Sequence, residues 1–290
     1  MRLLAALGLS VLLVGFALSA PPVAGTNDVR PDSLPEPKGY SIPADSEIPG
    51  GPLGVSIRRG RAIVLATRDS LPRHVGNRLA CTNCHLDAGT RASSGPWVGV
   101  FATFPQYNAR AGRVFRIENR VNECLRRSLN GTPLPLDGRD MTDIVAYLAF
   151  LSRHVPTGSH PDWLGYPRLP ARTADARAGA TIFASSCARC HGPNGAGTSK
   201  APPLWGAQSF AIGAGMARLQ TAAAFARWNM PFDRPGTLSD QQAYDVAAFI
   251  LSHPRPDTPG KERDWPNGDP PVDVAYSTLA GRRQSAPTHP

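Results

Sequence analysis

Lysine is almost missing from this 290-residue chain: only Lys38, Lys200 and Lys261 occur, so the formal charge of +9 rests on arginine. A basic balance can serve nucleic acid, membranes or small anions. Basic runs interleaved with aromatics are absent, however, and aromatics make up only 7% of the residues. No nucleic acid partner is therefore expected. Cysteine is scarce too. The five residues fall as two close pairs, Cys81/Cys84 and Cys187/Cys190, plus Cys124. Pairs tied up in local motifs leave nothing from which to build a disulfide framework, and an odd cysteine asks for a partner or a reaction. With no cysteine before Cys81, a lipoprotein anchor is excluded.

The apolar run Leu3 to Ala20 follows Arg2 and leads into small residues and prolines. That order is the n-region, h-region and cleavage zone of a secretory signal peptide over residues 1–25. The run approaches the ~18 residues that can span a bilayer, so an uncleaved anchor is the alternative. Residues 26–54 are rich in Pro, Gly and Ser and have no sustained period, as expected of a linker. A second linker is expected over 161–175. A tail over 257–290 turns again to Pro, Gly and charge, and is expected to be poorly ordered.

The two stretches in between, 55–160 and 176–256, repeat each other weakly. Asp143-Ile144-Val145-Ala146-Tyr147-Leu148 is matched by Asp245-Val246-Ala247-Ala248-Phe249-Ile250 at an offset of 102. Met141, Ile144, Val145 and Leu148 follow helical spacing. Ser239-Asp240-Gln241-Gln242 has the form of a capping box opening a helix through Leu251. Ala178 to Ala184 can form the partner helix, with Gly179 allowing a close crossing. The expected fold is all-α, with two small domains in tandem.

Each domain carries a CxxCH run, Cys81-Thr82-Asn83-Cys84-His85 and Cys187-Ala188-Arg189-Cys190-His191. In such a run two thiols form thioethers to the haem vinyls and the histidine is an axial iron ligand. Two covalent c-type haems follow, with His85 and His191 as proximal ligands. Attachment of such haems outside the cytoplasmic membrane fits a leader peptide and a bacterial periplasmic address. A domain this small buries little core of its own, so the haem supplies much of the apolar surface.

The sixth ligands distinguish the domains. Counting forty-three residues from Cys187 reaches Met230, and the same count from Cys81 reaches Cys124. Met216 competes with Met230 for the second iron. A thioether favours Fe(II), which makes the second haem the electron exit. Cys124 has three readings: a buried structural cysteine, an intermolecular disulfide, or an axial thiolate, which the matched spacing favours. A thiolate stabilises Fe(III) and is also a nucleophile able to attack sulfur. Those two properties point to sulfur redox chemistry. His74, His154, His160 and His253 lack comparable spacing and are expected at the surface or in packing.

Around Cys124 the chain resembles a known family. Phe104-Pro105-Gln106-Tyr107-Asn108-Ala109-Arg110, then the R-x-N-x-C-x-x-R-S-x-N-G run from Arg120 to Gly131, look like the active-site stretch of periplasmic dihaem thiosulfate dehydrogenases. Gly76-Asn77-Arg78-Leu79-Ala80 and His85-Leu86-Asp87-Ala88-Gly89 are similar as well, and the likeness covers about residues 55–255. The resemblance implies that two thiosulfates are joined to tetrathionate, with two electrons passing through the haems to a small soluble or membrane-bound cytochrome c. It implies substrate-binding roles for Arg110, Arg120 and Ser128, a catalytic role for Cys124, and iron ligation by His85, Cys124, His191 and Met230. Arginine suits this substrate independently, because its planar, permanent charge matches oxyanions. Arg126 and Arg127 are weaker candidates, since helical neighbours point in different directions. Asn229 stands where some members have a lysine that can exchange as a ligand. Two rivals are kept: a Sox-type dihaem subunit that joins thiosulfate to a carrier protein, and an electron-transfer protein with an inert Cys124.

Overall fold

The computed structural model describes residues 36–285, so the expected leader and the first part of the 26–54 linker lie outside it. Among the described residues the helical segments are α1 (Gly51–Leu65), α2 (Thr67–Ser70), α3 (Leu86–Gly89), α4 (Ile117–Arg127) and α5 (Arg139–Leu151) in the first half. The second half carries α6 (Ala176–Ile182), α7 (Ala188–His191), α8 (Leu219–Asn229), α9 (Asp240–Leu251) and α10 (Leu279–Ser285). A short antiparallel hairpin, β1 (Gln106–Asn108) and β2 (Arg113–Phe115), pairs Gln106 with Phe115 and Asn108 with Arg113. Among the described residues the fold is an all-α pair of tandem domains, each carrying one CxxCH run, with this hairpin inserted in the first.

Each domain is founded on one helix crossing. α1 lies across α5 with Gly60 at the contact, where an added Cβ would stand 1.9 Å from the Asp143 carbonyl oxygen. α6 lies across α9 with Gly179 at the contact, where a Cβ would stand 2.0 Å from the Asp245 carbonyl oxygen. The two aspartates are the repeated ones of the sequence, and both are buried. Asp143 accepts from Ser56 and Arg59 of α1. Asp245 accepts from the backbone N–H of Asp175 at 2.8 Å, and Asp175 in turn caps α6 through the N–H groups of Arg177 and Ala178. The expected capping box is present on α9, with Ser239 and Gln242 each accepting from the other's backbone N–H.

The domains share a core. Phe210, Ala214 and Ala217 of the second half pack into the first domain's cluster with Ile57, Leu125, Met141 and Leu148. Two expectations about the connecting segments need correction. α1 begins at Gly51, inside the stretch read as linker, because Gly50 and Pro52 open a helix whose apolar face is only sparsely written. The described part of the tail, to Ser285, is not loosely held: Asp264, Trp265 and Thr278 are buried. It packs through single polar and aromatic side chains, which leave no periodic pattern to read. No helix among the described residues is long and apolar enough to cross a membrane.

Candidate active site at the domain interface

Each CxxCH run lies on the wall of a largely apolar cavity. The first is lined by Cys81, Cys84 and His85 with Trp97, Leu125, Leu148, Arg120, Cys124 and Ser128. The second is lined by Cys187, Cys190 and His191 with Phe210, Val246, Met216 and Met230. The histidines are prepared to ligate. His85 Nδ1 lies 2.6 Å from the Gly95 carbonyl oxygen, and His191 Nδ1 lies 2.8 Å from that of Pro202. A carbonyl only accepts, so Nδ1 carries the proton and Nε2 keeps the lone pair a metal needs. Burial also pushes the His85 imidazole down to about 4, which keeps it neutral. Paired thiols, a neutral imidazole and an apolar cavity fit a covalent haem in each domain.

The cavities are neighbours. Leu79 and Cys84 line both. Tyr166, from the 161–175 linker, donates to the Cys84 carbonyl at 3.1 Å and meets the Phe225 ring edge-on at 5.9 Å. Tyr166 lines the first cavity and Phe225 the second.

A third cavity, of about 240 Å³, adjoins the first and shares Cys84, His85, Arg120, Cys124, Ser128 and Tyr166 with it. Its further walls include Asn108, Arg110, Arg127 and, from the second domain, Gly215 and Met216. α4 supplies Arg120, Glu123, Cys124 and Arg127, and Arg120, Cys124 and Arg127 fall one turn apart on one face. Ser128 follows as its C-cap, with its N–H donating to the Cys124 carbonyl at 2.9 Å. Arg110 comes from the β1–β2 turn.

Arg120 Nη1 donates to Cys124 Sγ at 3.3 Å. A Cys124 thiolate holds the Arg120 guanidinium above its usual range, against the cost of burial. Arg110 is shifted the other way, by burial first and then by the like charges of Arg127 and Arg120. Arg127 pairs with Glu123 at 2.5 Å and with Asp264 at 2.8 Å. A partly desolvated cation beside like charges, as Arg110 is, gains most from an anion placed against it.

The structure thus brings Cys124, Arg110, Arg120 and Ser128 around one cavity, with Cys81, Cys84 and His85 beside it. Cys187, Cys190, His191 and Met230 gather around the other haem cavity. Met216 lines both that cavity and the polar one. Arg126 is half exposed and bridges to Glu123 at 3.3 Å, away from the cavity walls. Arg127 was undervalued by the sequence: it lies seven residues after Arg120, a helical repeat that marks a shared face. Tyr166 and Asp264 carried no signal of their own. Asn229, before Met230, is fully buried. Its amide donates to the carbonyls of Ser93 at 3.0 Å and Phe225 at 3.2 Å, and accepts from Ser93 Oγ at 3.0 Å.

Fold and sites define a dihaem c-type cytochrome with a polar, arginine-lined cavity beside its first haem. The family model "SoxA/TsdA, cytochrome c domain" matches residues 73–157, and "Cytochrome C oxidase, cbb3-type, subunit III" matches residues 174–250. The thiosulfate dehydrogenase of Psychrobacter arcticus is 42% identical over 80% of this chain and 73% of its own length. That of Allochromatium vinosum is 44% identical over 74% of this chain and 84% of its own. Among solved structures, the as-isolated thiosulfate dehydrogenase TsdBA of Marichromatium purpuratum is 36% identical with a TM-score of 0.71. The match covers 76% of this chain and half, 50%, of that longer one. The chain belongs to the thiosulfate dehydrogenase family.

Proposed function

We propose that this dihaem thiosulfate dehydrogenase works in the cavity where Cys124 meets Arg110, Arg120 and Ser128. The overall reaction joins two thiosulfates into tetrathionate and releases two electrons. His85 and Cys124 would hold the first iron and His191 and Met230 the second, with Cys81, Cys84, Cys187 and Cys190 as thioether anchors. When bound, the haems take up the two electrons one at a time and pass them to an acceptor.

The chain's own part is charge and nucleophilicity. Thiosulfate is a dianion, and setting it beside a thiolate is costly unless cations neutralise both. Arg120 serves the Cys124 sulfur, while Arg110 and Ser128 take sulfonate oxygens. The Cys124 thiolate forms an S–S bond to the sulfane sulfur of the first thiosulfate, giving Cys–S–S–SO₃⁻ with loss of two electrons. The sulfane sulfur of the second thiosulfate attacks the sulfur bearing the sulfonate. Its bond to Cys124 breaks, tetrathionate leaves, and the thiolate is restored. No proton is transferred, so the reaction asks the site for cations and not for a general base.

The observation that carries this reading is the Arg120–Cys124 contact at 3.3 Å, in a cavity also lined by Arg110 and Ser128. An inert electron carrier has no use for it. The relatives that span both domains favour a free second thiosulfate over a carrier protein as the second partner. We place the protein in the periplasm, with a small soluble or membrane-bound cytochrome c as acceptor, and the reaction is open to running in reverse.

The test is to add thiosulfate to the purified oxidised holoprotein with no carrier protein present. Haem reduction should appear, with one tetrathionate per two electrons taken up. Reduction without tetrathionate would favour the carrier-dependent chemistry, and no reduction at all would favour the electron-transfer protein.

A further inference from the structure

The C-terminal segment from Asp257 to Tyr276 lies beyond both matched family models, which end at residues 157 and 250. Yet it stands behind the polar cavity. Trp265 is buried, and the Arg110 guanidinium carbon lies 4.7 Å from its ring centroid. The Trp265 backbone N–H donates to the Arg110 carbonyl at 2.8 Å. Trp265 holds φ at 50°, a left-handed conformation that a bulky residue adopts only where its surroundings fix it. Asp264 grips Arg127 through both carboxylate oxygens, each at 2.8 Å, and accepts from the Tyr276 hydroxyl at 2.6 Å. Thr258 Oγ1 accepts from the Gly213 N–H at 2.9 Å, and the Gly213 carbonyl accepts from Arg110 Nη1 at 2.6 Å.

We infer that this segment is a strap completing the anion site, in which Trp265 positions Arg110 while Asp264, ion-paired to Arg127, anchors the segment to the cavity wall. The inference rests on the polar cavity being the thiosulfate site. An unrestrained arginine loses rotamer freedom when it binds, and that loss weakens binding. Stacking on the indole orders the flat face beforehand and leaves the N–H edge to meet oxygens in its plane. The strap therefore acts on substrate affinity more than on the sulfur chemistry at Cys124. Trp265 touches Arg110, not Cys124, so it is a positioning residue.

A mutant cycle in the full-length holoprotein tests this, with steady-state kinetics on thiosulfate for Arg110→Gln, Trp265→Leu and the double variant. Trp265→Leu should raise KM about tenfold, the size of one poorly ordered charged contact, with kcat within about threefold. In the Arg110→Gln background it should add less than about twofold, because Trp265 acts through that arginine. Trp265→Phe, which keeps a ring beneath the guanidinium, should restore KM to within about threefold of wild type. Additive effects of Arg110→Gln and Trp265→Leu, or an unchanged KM in Trp265→Leu, would overturn the strap while leaving the site assignment standing. An unchanged KM in Arg110→Gln would remove the site assignment itself, and the strap with it.

Discussion

In both domains a glycine lets an N-terminal helix settle onto the C-terminal one, and in both the buried aspartate at the crossing clasps the incoming helix. The motif histidines are handled alike, each with Nδ1 spent on a backbone carbonyl at 2.6 or 2.8 Å. The domains part at one helix. α4 of the first carries Arg120, Glu123, Cys124, Arg126 and Arg127, whereas its counterpart α8 buries Ala223, Ala224, Ala226 and Asn229. The equal forty-three-residue spacing also conceals a difference. Cys124 lies within the last turn of α4, while Met230 is the extended residue that caps α8. A common scaffold is thus kept, and the division proposed here between chemistry and electron exit would be written on one helix face and on the hairpin and C-terminal segment beside it.

The largest effect should come from exchanging that division. Cys124→Met offers iron a neutral thioether but removes the nucleophile, so tetrathionate formation should fall by about 10³-fold or more. Both haems should stay attached, since Cys81, Cys84, Cys187 and Cys190 are untouched. The first haem's potential should rise, as Fe(III) loses an anionic donor. Met230→Ala should instead spare thiosulfate-dependent reduction of the first haem and slow its reoxidation by an acceptor. EPR of the oxidised variants, with a tetrathionate assay, checks both. If Met230→Ala also abolishes single-turnover thiosulfate oxidation, the domains do not divide the work as the structure suggests.

Much of this was legible beforehand because it is written locally. A CxxCH run, the capping box at Ser239 and the glycine at 179 each depend on residues a few positions apart. Arg120, Cys124 and Ser128 were singled out as well, through the family resemblance of their run. What was lost is what depends on distant partners. Arg127 ranked with Arg126 as a weaker candidate, and nothing near it in the chain announces its pairing with Asp264, 137 residues away. Gly60 carries no sign that Asp143 will pack against it. The strap reads as a charged, proline-rich tail because Trp265 and Tyr276 act singly, and one aromatic has no period.

An effect of intermediate size separates the two scaffolds mechanically. In Gly60→Ala and Gly179→Ala the new methyl would stand 1.9 and 2.0 Å from backbone oxygens that belong to a helix. Neither oxygen is the end of a flexible side chain, so the crossing has to open. Overpacking of this kind costs about 1–3 kcal/mol, and the gain of up to about 1 kcal/mol from replacing a helical glycine does not offset it. Thermal unfolding followed at each haem should show Gly60→Ala loosening the first domain and Gly179→Ala the second. Equal losses at both haems in both variants would mean that Phe210, Ala214 and Ala217 bind the halves into one cooperative unit.

The smallest effect tests whether the two haem environments are independent. The loop at Ser93 to Gly95 serves both: Gly95 holds His85, and Ser93 exchanges hydrogen bonds with Asn229, next to Met230. Ser93→Ala removes one donor and leaves Asn229 Oδ1 buried without it, a loss of about 1 kcal/mol. The backbone bond from Asn229 Nδ2 to the Ser93 carbonyl remains. Ser94 is fully buried, with its hydroxyl donating to the Cys84 carbonyl at 2.9 Å, so it should keep Gly95 in place. The variant should therefore weaken the methionine–iron charge-transfer band of the second haem on warming, while the first haem's EPR signal and the KM for thiosulfate stay as they were. A shift at the first haem would show that the loop transmits between the sites, and the distinction between a chemical and a conducting domain would then be one of degree.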